Sequence, residues 1–479
     1  MAEKSSLEML APELQLQILL NADTPKDLHA LIHTSPRLCQ VYIHNKDTIL
    51  STVARRQFHP AVIPDALFFA KISQLEQPLS RDTVIDLFKT YPTEVHERKN
   101  IPVFMSVALC ELASNVKFFI EDYARNTLPI LEGLGRSLDL EVLPEYLPEN
   151  PISHSRMSDS EIGRLQRAFC RFEIYRHLFA RCSTTIDHKL RRCAYLPSLT
   201  PEEQAELFLL RFPDFEVTEI NCIRDYLYRR LRGVFSRVED RATDTLPAEN
   251  FIWDEHTDWE AMTWASGVWF FTKGGKASQD QHIEHLMSLG LSYIRRVYAS
   301  TGEKQKDLFL RDMSGTDPNH FEMDFITAAL EYLGQNPAGD DIPFLADIDP
   351  PFQYERKSDV GLDIPDAWQW AHPHGPPFTL SDHCTKGLRD WGFVFWDFDR
   401  LRESGILKRS SNDFQKIYFN EHKAANGPSV MERLLGPPSP YLSPEDDSDT
   451  YTSIPTSDSL REDYSDSSSA DSGLRSENS

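Results

Sequence analysis

The side chains best suited to chemistry lie close together late in the chain: His372, His374, His383 and Cys384. Imidazole and thiolate are donors that zinc favours. Their spacing argues against a metal centre. His-Pro-His followed after nine residues by His383-Cys384 fits no structural zinc pattern, and Pro376-Pro377 limits how the loop folds back. His282 and His285, three apart on an expected helix, would chelate as a pair, but an exposed polar face accounts for them. Of seven cysteines none forms a Cys-x-x-Cys pair; Cys170, Cys182 and Cys193 lie near one another, but the first two sit among large apolar residues and read as core thiols rather than ligands. The acidic pairs Asp340-Asp341 and Asp446-Asp447 fall in expected loops or the tail, where solvated charge is the default. No phosphate-cradling glycine loop, Gly-x-Ser-x-Gly elbow or His-Glu-x-x-His helix occurs. We therefore expect no catalytic residue, no metal and no cofactor.

Hydroxyl chemistry is better represented. Pro437 to Ser479 is dense in Ser, Asp, Glu and Pro and poor in large apolar residues, so it cannot bury enough surface to offset ordering and is expected to be disordered. Ser439 and Ser443 each precede proline, and other serines precede acids, contexts that suit common kinase classes. Asp471-Ser472-Gly473-Leu474-Arg475-Ser476 matches a phosphodegron pattern in which phosphorylated Ser472 and Ser476 enter a basic pocket on a ubiquitin ligase subunit.

The elements carrying these groups read as helices throughout. Pro12 can open a helix with Leu14, Ile18 and Leu19 on one face; Thr24 caps a second through Asp27, with Leu28, Leu31 and Ile32 as its stripe; Ser35-Pro36 starts a third. Ile49 to Phe58 continues as helix until His59-Pro60. Helices over Asp65–Leu75 and Ser80–Tyr91 follow, and then a run from Pro102 through Phe104, Val107, Ala108, Leu112, Val116, Phe119 and Tyr123, expected to be a largely buried central element. Ser158 with Glu161, and Thr200 with Glu203, are capping boxes. Val217–Val238 turns Ile220, Ile223, Leu227, Leu231, Val234 and Phe235 inward, and Arg224, Arg229, Arg230, Arg232 and Arg237 are expected in intramolecular salt bridges. Trp253, Trp259, Trp264 and Trp269 read as a packed helical stretch stopped by Gly274-Gly275; Ser278–Tyr298, Pro318–Leu333 and Lys386–Ile406 as further helices; Gln335–Pro377 as irregular. No hairpin pattern and no fixed-period repeat occurs. The expected fold is all-α.

Leu10, Glu13, Leu14, Ile18, the Asp-Thr-Pro-Lys-Asp-Leu run ending at Leu28, Leu31 and Ser35 resemble an F-box, in the version common among uncharacterised proteins of filamentous fungi. Ala11 stands where that family usually has proline, and Leu38 where it has tryptophan. The Leu388–Leu401 string also resembles the closing segment of those proteins. The resemblance implies a trihelical module that docks on a Skp-type subunit of a cullin–RING ubiquitin ligase while the rest of the chain holds a protein substrate. Leu10, Pro12, Glu13, Leu14, Ile18, Leu28 and Leu31 would form the docking surface. A helical scaffold with a degenerate F-box that no longer binds an adaptor is the alternative.

Composition bounds the rest. A net charge of −24 repels phosphates, arguing against nucleic acid and anionic membranes as partners. The first residues lack an apolar signal core, no run approaches the length of a membrane helix, and scattered cysteines fit reduced thiols, so a cytoplasmic or nuclear location is expected. The expected organisation is an F-box-like module over 1–60, a helical body over 61–335, an irregular segment over 336–385, core helices over 386–435 and the tail over 436–479.

Overall fold

The computed structural model describes residues 6–76, 79–90, 101–137, 157–180, 199–244, 275–310, 325–335, 365–372 and 383–408. The fold is all-α: sixteen α-helices and no strand occur among the described residues. Three helices form the N-terminal part. Pro12 occupies the first turn of α1 (Pro12–Leu20), and a capping box between Thr24 and Asp27, 3.1 Å in both directions, opens α2 (Pro25–Thr34). Ser35 Oγ accepts from Arg37 N and Leu38 N to start α3 (Pro36–Arg56). The two helical segments that the sequence suggested run on into one another as α3 and are separated by a kink. The kink is at Asn45 (φ −123°, ψ 20°), whose side-chain amide donates to the Val41 carbonyl at 3.0 Å. Leu19, Ala22, Leu28, Leu38, Ile49 and Val53 pack into a small core of their own.

The larger core begins where His59-Pro60 stops α3. There α4 (Ile63–Ile72) and α5 (Arg81–Thr90, capped by Ser80) lead into α6 (Val103–Ser137) and α7 (Asp159–Phe179). Sequence periodicity pointed to α6 as the buried centre, and it is buried only in part. Leu112, Val116, Phe119 and Tyr123 are enclosed, whereas Phe104 and Val107 are exposed. Against expectation, Val103–Pro129 is long and apolar enough to cross a bilayer by length and composition; its enclosed face shows what that apolarity packs against here. The centre is α7, which lies against α4, α6 and α9 (Asp214–Asp244) and is enclosed almost all round. Its Phe169, Tyr175 and Phe179 join Phe88, Phe119, Phe208 and Tyr226 in stacked, tilted and edge-on ring contacts, and its Phe172 meets Phe325 edge-on.

A helix enclosed on all sides yet carrying arginines must neutralise them internally. Arg167 donates from Nε and Nη2 to both oxygens of Glu219 (2.9 and 2.5 Å) and from Nη1 to Glu216 (2.6 Å). Arg171 donates to the other Glu216 oxygen (2.6 Å) and to Asp65 of α4 (2.9 Å), its guanidinium lying 3.8 Å from the centre of the Phe212 ring. Arg164 binds the Phe395 carbonyl and Asp397. Four of the five α9 arginines singled out are paired within the chain as expected, Arg224 with Asp225 and Glu284, Arg229 with Asp390, Arg230 with Asp122 and Arg232 with Asp280.

After α8 (Pro201–Leu207) and α9, the expected Ser278–Tyr298 helix is two, α10 (Gly275–Ser288) and α11 (Leu291–Ala299). Gly275 opens α10, and the stretch before it lies outside the described residues. The break is Gly290, at φ +89°, where a Cβ would lie 2.8 Å from Arg176 Nε; Glu173 instead accepts from the Leu291 amide. Next come α12 (Gly302–Leu310) and α13 (Thr327–Gln335). The segment expected to be irregular contains α14 (Asp366–Ala371), whose Trp368 and Trp370 pack on the core. Trp253, Trp259, Trp264, Trp269 and the tail lie outside the described residues.

The last stretch is also broken where one helix was expected, into α15 (His383–Asp390), a 3-10 turn at Phe393–Phe395 and α16 (Phe398–Ser404). Trp391, Phe395, Trp396 and Leu401 lock it into the core, Phe398 is exposed, and Arg389 is buried on Asp225 at 2.8 Å. Gly392 makes the turn at φ +66° against Tyr123, where a Cβ would sit 1.7 Å from the hydroxyl oxygen. Gly392→Ala is expected to destabilise the protein by about 3 kcal/mol or more, combining left-handed backbone strain with overpacking. In urea unfolding, Tyr123→Phe should recover part of that loss, because it removes the clashing oxygen. Arg167→Met should cost about 3–5 kcal/mol in the same assay by leaving Glu219 buried without its cation.

Candidate docking surface

The N-terminal residues sort into inward and outward sets. Leu19 and Leu28 are enclosed, so Leu28 belongs to the small core and cannot contact a partner. Leu31, Leu10 and Ile18 are half-buried, while Pro12, Glu13 and Leu14 are exposed, Leu14 by 53%. Leu14 and Leu19 therefore do not share a face. Met9, 70% exposed, and Leu7, 38% exposed, extend the outward apolar set beyond the residues indicated by sequence. Their position on a turn ahead of α1 gave no periodic signal.

That turn, Ser6–Met9, is fixed by polar contacts. The Gln15 side-chain amide donates to the Leu7 carbonyl at 2.9 Å, Ser35 Oγ donates to Glu8 at 2.9 Å, and Arg37 Nη1 reaches the Glu8 carbonyl. These bonds tie the turn to α1 and to the start of α3. Leu7, Met9 and Leu14 are thus presented from a braced backbone. At the other end, Gln166 of α7 accepts from His59 N (2.7 Å) and donates to the Gln57 carbonyl (2.9 Å), joining α3 to the body.

His372 packs on Trp368 with its Nδ1 2.8 Å from the Trp368 carbonyl; His383 and Cys384 lie on α15, and His374 is outside the described residues. No cluster of three or more His, Cys, Asp or Glu residues suited to a metal occurs among the described residues. Cys170 is a core thiol whose ionisation burial suppresses. Ser439, Ser443, Ser472 and Ser476 lie outside the described residues.

His282 corrects the expectation of an exposed polar face. It is fully buried, with Nε2 3.0 Å from the Phe309 carbonyl. Burial, aided by nearby His285, lowers it to about 3; burial and Arg176 lower His177 to about 4. Both rings stay neutral in the fold and gain protons on unfolding below about pH 6.5, so their stabilising contribution is present above that pH and lost as pH falls towards these values. Unfolding free energy measured between pH 7 and 4 should fall, and His282→Gln, which keeps a donor for Phe309, should flatten the slope by close to one proton.

Compared with known proteins, the chain matches no family model, no curated protein and no solved structure.

Proposed function

We propose that the N-terminal helices dock on a Skp-type adaptor of a cullin–RING ubiquitin ligase and that the helical body engages a second protein as substrate. The observation carrying this reading is the exposed apolar set Leu7, Met9 and Leu14, held on a braced turn and helix while the module's own core is satisfied by other residues. Large apolar side chains fixed in water in this way favour a protein partner. A Skp-type partner is suggested by the F-box-like pattern; Leu10, Pro12, Glu13, Ile18 and Leu31 would line the same contact, and Leu28 would support it from beneath.

The second reading is a non-catalytic helical scaffold in which these helices only cap the body. It draws on the junction between α3 and its neighbours, where Gln57 and His59 share Gln166 and Ile101 N approaches Ser51 Oγ at 3.4 Å.

Binding of the purified full chain to a purified Skp-type adaptor separates the two. Met9→Asp with Leu14→Asp, both at exposed positions, should leave the fold intact. Each withholds about 1 kcal/mol of apolar burial, weakening the complex roughly thirtyfold together. Failure of the wild-type chain to bind would leave the scaffold reading.

A further inference from the structure

We propose that His29 and His33 form a two-ligand site for a divalent transition metal ion, Zn²⁺ being the probe of choice, on the outer face of α2. The residues are four apart, so their side chains rise from one helix face a turn apart. Both are exposed, their ring centroids are 4.2 Å apart, and their Nε2 atoms are separated by 3.0 Å. Two nitrogens each about 2.0–2.1 Å from one zinc are about 2.9 Å apart at a right angle and about 3.4 Å apart at the tetrahedral angle. The observed separation falls inside that range.

Without metal, the 3.0 Å contact is a hydrogen bond between the two rings whose donor depends on the tautomer. On binding, the hydrogen of each ring sits on Nδ1 and both Nε2 lone pairs face the ion. The backbone beneath is constrained: the Thr24–Asp27 box fixes the start of α2, and buried Leu28 and half-buried Leu31 hold its inner side on the small core. A ten-residue helix would fray alone, and this anchoring keeps the two imidazoles at chelating distance. No third protein ligand joins them among the described residues, so water completes the coordination. This inference is independent of adaptor docking.

Zinc uptake by the untagged full chain, measured by equilibrium dialysis, tests it. The wild type should carry about one more equivalent than His29→Ala with His33→Ala, and either single substitution should weaken that equivalent at least about tenfold, the scale at which even outer-shell changes act. His33→Ala with Thr34→His preserves the number of imidazoles but turns one about 100° around the helix, and should lose the same equivalent. His44→Ala, on α3, should keep it. Circular dichroism of each variant checks that helix content is unchanged. Equal uptake by the wild type and the double alanine variant, or retention by the shifted variant, would overturn the proposal.

Discussion

The fold depends on neutralising the charge inside α7. Arg167 and Arg171 are enclosed with Asp65, Glu216 and Glu219, drawn from α4 and α9, and every one of these groups has a partner of opposite sign. Desolvation of such ions costs several kcal/mol each, and only near-ideal geometry offsets it. The fork of Arg167 on Glu219 and the sharing of Glu216 between two guanidiniums supply that geometry. Two cations face three carboxylates. Burial raises Glu219 and outweighs the opposing pull of Arg167, consistent with the surplus of negative charge.

This arrangement sets the alignment of the surrounding helices. A residue-by-residue slip of α9 along α7 would keep apolar contacts roughly intact but would separate Glu216 and Glu219 from their cations. Apolar packing tolerates such shifts; paired charges in a low dielectric do not. The same logic ties in the end of the chain. Glu161 accepts from the Ser158 amide at the start of α7 and also from the Asp397 amide at the start of α16, while Arg400 pairs with it through both nitrogens. Asp397 in turn takes hydrogen bonds from Ser158, Ser160 and Arg164, which hold its carboxyl below the usual range against the opposing effect of burial. Each helix start is served by a carboxylate that also serves the other.

What was legible in the sequence was local. The capping boxes at Thr24, Ser158 and Thr200 form as written, because their donors and acceptors are three residues apart and need no tertiary partner. The helical class and the inward face of α9 followed from periodicity. The breaks at Gly290 and Gly392 were not legible: a lone glycine inside an apolar run is compatible with a helix, and only close approach of Arg176 or Tyr123 makes its missing side chain necessary. The burial of Arg164, Arg167 and Arg171 was not legible either, since spacing does not show that carboxylates from distant segments meet them. His282 failed for the same reason. At the candidate surface, exposed Leu14 was legible, whereas Met9 lies on a turn with no period, and Leu28 shares a helix stripe whose inward direction is fixed only by α3.

The two cores divide the labour of stability in a way that bears on docking. The small core of Leu19, Ala22, Leu28, Leu38, Ile49 and Val53 is closed without Leu7, Met9 or Leu14, so those three are only partly covered by the chain's own fold. Folding therefore places little constraint on their identity, and polar residues there would be more soluble. Yet the backbone carrying them is held by Gln15, whose amide reaches the Leu7 carbonyl, and by the Glu8–Ser35 bond. Ordering a terminal turn costs conformational entropy that exposed apolar side chains do not return within the free chain. A restrained backbone thus carries apolar side chains that the free chain leaves in water, which is the feature the proposed docking relies on.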